Sequence, residues 1–152
     1  MLPEGWEEHQ FTDLLDIKGG TQPPKVHFVH KPIEGYQRLL QIRDFDNDKS
    51  PSYIPKQFKA NACNEDDILI AGYGASVGRI FTGKAGAYNV ALAKLIFKTS
   101  KLEKKYTYYW LLSNEFQSFL QNVQDRSAQA GFNKSDLSKL VVNVPPLPEQ
   151  RK

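Results

Sequence analysis

The residues best equipped for chemistry lie in one short stretch, Gly72 to Arg79. Tyr73 offers a flat ring, Ser76 a hydroxyl and Arg79 a planar cation with five N–H donors. Gly72, Gly74 and Gly78 relieve the backbone of β-carbon clashes, so the loop can turn at positive φ or lie against a ligand. The apolar run Ile68 to Ala71 just before it reads as a buried strand. This trio suits a nucleic acid better than a small metabolite, because a ring can stack a base and a guanidinium can hold a phosphate or a guanine edge. The plainer reading of the same residues is a glycine-rich surface turn between two strands.

Other constellations point away from catalysis. His9, His27 and His30 are the three imidazoles and Cys63 the one thiol, and no paired spacing among them completes a four-ligand metal site. Gly78 to Ala85 has the spacing of a nucleotide-binding P-loop, but Ala85 stands where Ser or Thr must hold magnesium, and Arg79-Ile80-Phe81 reads as strand where a P-loop wraps around phosphate. Asn143-Val144-Pro145-Pro146 differs at Val144 from the Asn-Pro-Pro-Tyr site of amino-methyltransferases. No acid–base pair or activated nucleophile is assembled, so neither catalysis nor a cofactor is expected.

The 152 residues fit one domain able to bury about 70 per cent of its unfolded surface. A single cysteine excludes an internal disulfide and agrees with a reducing compartment. No apolar run approaches a membrane span and Met1-Leu2-Pro3-Glu4 lacks the features of a signal peptide, so a cytoplasmic address is expected and no membrane partner. The net charge of +3 hides an asymmetry. Residues 1–67 carry 8 Lys+Arg against 12 Asp+Glu, and residues 68–152 carry 12 against 5, a balance of −4 followed by +7. A basic half can present one positive face to a polyanion.

The elements that position these groups follow from pattern. A strand is expected over Trp6–His9, then a helical turn capped by Thr12, then a loop at Gly19-Gly20-Thr21-Gln22-Pro23-Pro24. Residues 38–45 alternate as a strand, with Leu40 and Ile42 on one face and Gln41 and Arg43 on the other, where both can reach base edges; alternatively Arg43 pairs with Asp44 or Asp46. Asp46-Asn47-Asp48 supplies a turn. Residues 52–62 read as a short strand and an irregular connection, and Val77–Thr82 with Val90–Lys98 as a hairpin whose second strand is central in its sheet. A long helix is expected over residues 102–123, started by a Ser100/Glu103 capping box and packed through Tyr106, Tyr109, Trp110, Leu112, Phe116, Phe119, Leu120 and Val123. Ser135 starts a short helix before a strand over Leu140–Val144, and Pro148-Glu149-Gln150 opens a last helical turn. Between the long and short helices Arg126, Gln129, Asn133 and Lys134 are candidates for DNA: Gln and Asn match adenine, Arg guanine and Lys phosphate. A solvated loop is the alternative. The fold class is therefore α/β (α+β), a single domain with a twisted, mostly antiparallel mixed sheet, one long packed helix and loops gathered on one side.

The Gly72–Arg79 loop, the Arg126–Leu137 segment, the opening Leu2-Pro3-Glu4-Gly5-Trp6 and the closing Val144-Pro145-Pro146-Leu147-Pro148-Glu149-Gln150 together resemble the target recognition domain of Type I restriction-modification specificity (S) subunits. The resemblance spans residues 2 to about 150. It implies a recognition domain over residues 1–148, with 149–152 as the start of a truncated or absent spacer helix. It also implies sequence-specific recognition of a double-stranded DNA half-site, without catalysis. Thr21 and Gln22 join Gln41, Arg43, Tyr73, Ser76, Arg79, Arg126, Gln129, Asn133 and Lys134 as DNA-binding candidates. The implied partners are DNA, a methylase subunit and through it a restriction subunit, and a second recognition domain or homodimer partner. Two other readings fit: a recognition fragment of a DNA methyltransferase, and a specificity-subunit mimic that binds the methylase subunit.

Overall fold

A computed structural model describes residues 2–126 and 131–152. In chain order its elements are β1 (Glu7–Gln10), α1 (Phe11–Leu14), β2 (Leu15–Gly19), β3 (Tyr36–Leu40), β4 (Ser52–Pro55), β5 (Ala62–Cys63), β6 (Leu69–Ala71), β7 (Ile80–Phe81), β8 (Gly86–Tyr88) and β9 (Leu92–Phe97). Then come α2 (Lys104–Leu111), α3 (Asn114–Asp125), α4 (Lys134–Leu137), β10 (Val141–Val144) and α5 (Leu147–Gln150). The fold is mixed α/β with mostly antiparallel sheets, as the pattern predicts; among the described pairings only β3–β8 is parallel. The chain forms two compact units, residues 18–94 and residues 1–17 with 95–152, and it passes from one to the other inside β2 and β9.

In the contiguous unit, β3 lies between β4 and β8, with β5 on the far side of β8, and β6 lies between β9 and β7. Alternation along β3 and β8 feeds two cores. Leu39 and Ala87 pack with Ile54, while Leu40 and Tyr88 pack with Cys63, Leu69, Ala71, Phe81 and Leu92. Two expectations are corrected here. The strand over residues 38–45 stops at Leu40, and Ile42–Phe45 form a 3-10 turn. The cause is local: the Gln41 N–H donates to Asp44 Oδ2 at 2.8 Å, folding the chain back on itself. Gln41 and Arg43 therefore do not share a strand face. Nor do residues 77–82 and 90–98 form a hairpin, because β7 pairs with β6 and β8 turns aside to join β3 and β5. β9 is central, with β2 and β6 as its neighbours.

In the split unit, β1 and β10 pair antiparallel from Glu7↔Val144 to Gln10↔Val141. Phe11 and Phe116, both fully buried, stack with centroids 6.1 Å apart, and Trp110 closes the cluster 5.3 Å from Phe116. The single helix expected over residues 102–123 is two helices, broken at Leu112-Ser113. Ser113 Oγ donates to the Trp110 carbonyl and accepts from the Phe116 N–H, and Gln117 Nε2 donates to the Leu111 carbonyl. These bonds satisfy groups that the break would otherwise leave open. With the turn, Tyr109 and Leu112 leave the packed stripe and are exposed. Capping also differs from expectation at three helix starts. Thr12 lies inside α1, Glu103 rather than Ser100 precedes α2, and Asn133 rather than Ser135 caps α4.

The two end motifs meet each other. Trp6 Nε1 donates to Glu149, and the Gln150 amide, buried, donates to the Lys101 and Pro145 carbonyls and accepts from the Glu103 N–H. Gly5 sits at φ +85 beneath Pro146, where a β-carbon would lie 2.9 Å from the proline ring.

Candidate nucleic-acid interface

The contiguous unit carries the glycine loop. Gly74 and Gly78 take φ +87 and +91, values that only glycine adopts without strain. They allow two turns in succession: Val77 N–H to the Gly74 carbonyl, and Arg79 N–H to the Ser76 carbonyl at 3.0 Å. Gly78 and Ala71 then close the loop's neck by a 3.0 Å backbone bond. Tyr73 projects with its ring exposed, and Ser76 is half-buried. Arg79 lies 4.9 Å over the Phe81 ring and donates to Asp46 at 2.9 Å. The expected ring, hydroxyl and cation are all on this loop.

Acids of the turn after β3 meet the neighbouring cations. Asp48 accepts from Lys84 at 2.6 Å and from Arg38 at 2.8 Å, and these two bonds hold its carboxyl below the usual carboxylate range. Asp44, buried, stands 3.4 Å from Arg38. Burial opposes the Arg38 charge, but the bond to Asp48 and the field of Asp44 raise its pKa further. Arg43 does not pair with Asp44 or Asp46 in the way spacing allowed; its Nη2 donates to the Ser50 carbonyl and Ser52 Oγ. Gln41 Nε2 also donates to Ser52 Oγ, at 3.1 Å. Thr21 is tied in place by its N–H to the Tyr88 carbonyl and by the Asn61 N–H to its hydroxyl, whereas Gln22 is exposed.

The split unit carries a second polar patch. Phe119, Val123, Arg126, Gly131, Asn133, Asp136 and Lys139 line an open cleft of about 550 Å³. Gln124 holds Gly131 through its side-chain amide, whose Nε2 donates to the Gly131 carbonyl at 2.9 Å and whose Oε1 accepts from the Gly131 N–H at 2.6 Å. Asn133 and Asp136 use their side chains on each other's backbone N–H, a capping box that leaves Arg126 and Lys139 as the cleft's cations. Lys134 lies 3.0 Å from Asp16, and that bond lowers the Asp16 pKa. Gln129 lies outside the described residues.

A family model for the Type I restriction modification DNA specificity domain matches residues 3–152. The chain belongs to that family. It is 27% identical over 150 residues to the Type I restriction enzyme MjaVIII specificity subunit of Methanocaldococcus jannaschii, covering 99% of this chain and 34% of that protein. The HsdS subunit from Thermoanaerobacter tengcongensis superposes with a TM-score of 0.71 at 25% identity, over 99% of this chain and 36% of its own. A chain from a study of complex assembly and conformational transition of the type I R-M system gives a TM-score of 0.73 at 23% identity, over 99% of this chain and 37% of its own, and shows the shared fold. This specificity domain thus spans about a third of the length of the relatives it matches.

Sequence reasoning missed three parts of the domain. Asp46 was read as a turn residue and a local partner for Arg43, and Asp48 as a turn residue only, whereas they pair with Arg79 and with Lys84 and Arg38; the acid-rich first half was the available signal. Lys139 lay outside the segment that spacing singled out. Phe119 was assigned to a packing stripe, yet it lines the cleft.

Proposed function

We propose that this specificity domain is a target recognition domain that reads a short half-site in double-stranded DNA and has no catalytic step of its own. The observation that carries the reading is the family match across residues 3–152. The two patches supply chemistry that suits it. Tyr73, Gln22, Gln41 and Asn133 offer stacking and amide groups for bases, while Arg43, Arg79, Arg126 and Lys134 offer cations for phosphates and guanine edges, with Thr21 and Ser76 as hydroxyl donors. Gln129 belongs to the same set. Arg79 takes a phosphate, because the glycine loop can bring its backbone close to the duplex rail.

On this reading residues 1–148 form the recognition domain and 149–152 begin the connecting helix. The partners are a methylase subunit, through it a restriction subunit, and a second recognition domain or a second copy of this chain, in the cytoplasm. Selection of bound duplexes from a random pool at stated salt tests it: an enriched motif is expected, and recovery of unselected sequence at every salt concentration would refute sequence reading. Measuring Arg79→Ala on the selected and a scrambled duplex separates its roles. An equal loss on both marks a phosphate contact, and a relaxed preference at one position marks a base contact.

A further inference from the structure

The turn carrying Asp46 and Asp48 is built differently from its neighbour Asp44. Asp44 is buried, 3.4 Å from Arg38, and bonds back to the Gln41 N–H. Asp46 and Asp48 are each 56% exposed, two residues apart, and each meets cations of the contiguous unit: Asp46 holds Arg79 of the glycine loop, and Asp48 holds Lys84 and Arg38. Arg79 has a second support in the Phe81 ring 4.9 Å away, so it stays in place without its acid. Each exposed carboxylate gives its cation the anionic partner that a backbone phosphate could supply instead.

We propose that Asp46 and Asp48 are affinity-setting residues, an intramolecular stand-in for DNA phosphates that a duplex must displace from Arg79 and Lys84. The inference rests on the DNA-reading function proposed above. Exposed pairs of this kind are weak, so displacement is reversible and salt-sensitive. Its effect is a brake on backbone binding. Phosphate contacts supply most non-specific affinity, so weakening them reduces time spent on unrelated DNA.

The test uses the whole chain, a random-sequence duplex and a salt series, with folding of each variant checked by thermal melting. Asp46→Asn should tighten binding about two- to fivefold near 0.1 M salt, with a steeper salt dependence because no freed carboxylate takes up a cation. In an Arg79→Ala background the same substitution should give no gain. Asp48→Asn should behave likewise, with its gain reduced by Lys84→Ala, because Asp48 also holds Arg38 and that cation is freed as well. A gain from Asp46→Asn that persists without Arg79 would mean general charge repulsion and overturn the proposal, as would weaker or unchanged binding in Asp46→Asn. If neither the native chain nor the Asp46→Asn/Asp48→Asn double variant binds any duplex at low salt, the DNA reading falls together with the brake. Duplex binding by the native chain without these gains removes the brake alone.

Discussion

Gly19 and Gly20 are adjacent and identical in type, yet they stand in opposite surroundings. A β-carbon at Gly20 would lie 1.9 Å from the Asn89 carbonyl oxygen, while one at Gly19 meets nothing within 4 Å. Gly20→Ala should therefore destabilise by about 1–3 kcal/mol or more, and Gly19→Ala far less, in urea unfolding of the two variants. Equal midpoints would contradict the close approach. Tyr88 gives a pH prediction. Its ring is fully buried, its hydroxyl donates to the Lys18 carbonyl at 2.8 Å, and burial first, then the neighbouring Cys63, pushes its pKa from 10.0 up to about 12. A raised folded-state pKa means that the stabilisation is complete below pH 10 and is lost as pH climbs towards 12. Stability should fall across that alkaline window, and Tyr88→Phe should flatten the fall while lowering stability at neutral pH by about 1 kcal/mol through the unpaired carbonyl. Side-chain identity was legible in the sequence but partnership was not. The Arg79 and Asp46 guanidinium–carboxylate pair joins residues 33 apart, and no spacing rule reaches that far.

At the scale of elements, apolar periodicity located most strands and helices, and short polar side chains decided where they stop. Leu39 and Leu40 alternate as a strand should, but Asp44 bonding back to Gln41 ends it. Similarly, the stripe from Tyr106 to Val123 is continuous in pattern, and Ser113 divides it by taking the cap position of α3. Ser113→Ala should cost about 0.5–2 kcal/mol in thermal or chemical unfolding, as loss of an N-cap does. Phe116→Ala, which empties the space between Phe11 and Trp110, should cost about 3–5 kcal/mol. A smaller loss for Phe116 than for Ser113 would show that the aromatic cluster does not hold the split unit together. The expected hairpin was illegible for a different reason. β8 finds its parallel partner in β3, a pairing with no turn to announce it.

Over the whole molecule, the acidic and basic halves of the sequence do not map onto the two compact units. The contiguous unit combines the acidic turn of residues 46–48 with Arg38, Arg79 and Lys84, so charge is paired there rather than displayed. In the split unit, Arg126 and Lys139 line an open cleft. If that cleft lies against the DNA backbone, Arg126→Ala and Lys139→Ala should each weaken binding equally on all duplexes and lower the salt slope by about one. A change confined to one base position would instead make either residue a reader. Connectivity has a further consequence, in the order of assembly. Residues 18–94 are continuous, so that unit can close as soon as it leaves the ribosome, whereas β1 must wait for β10 before Glu7 can pair with Val144. During synthesis β1 therefore stays unpaired until residues 141–144 emerge, and slow translation of the residues between them prolongs its exposure to wrong strand partners.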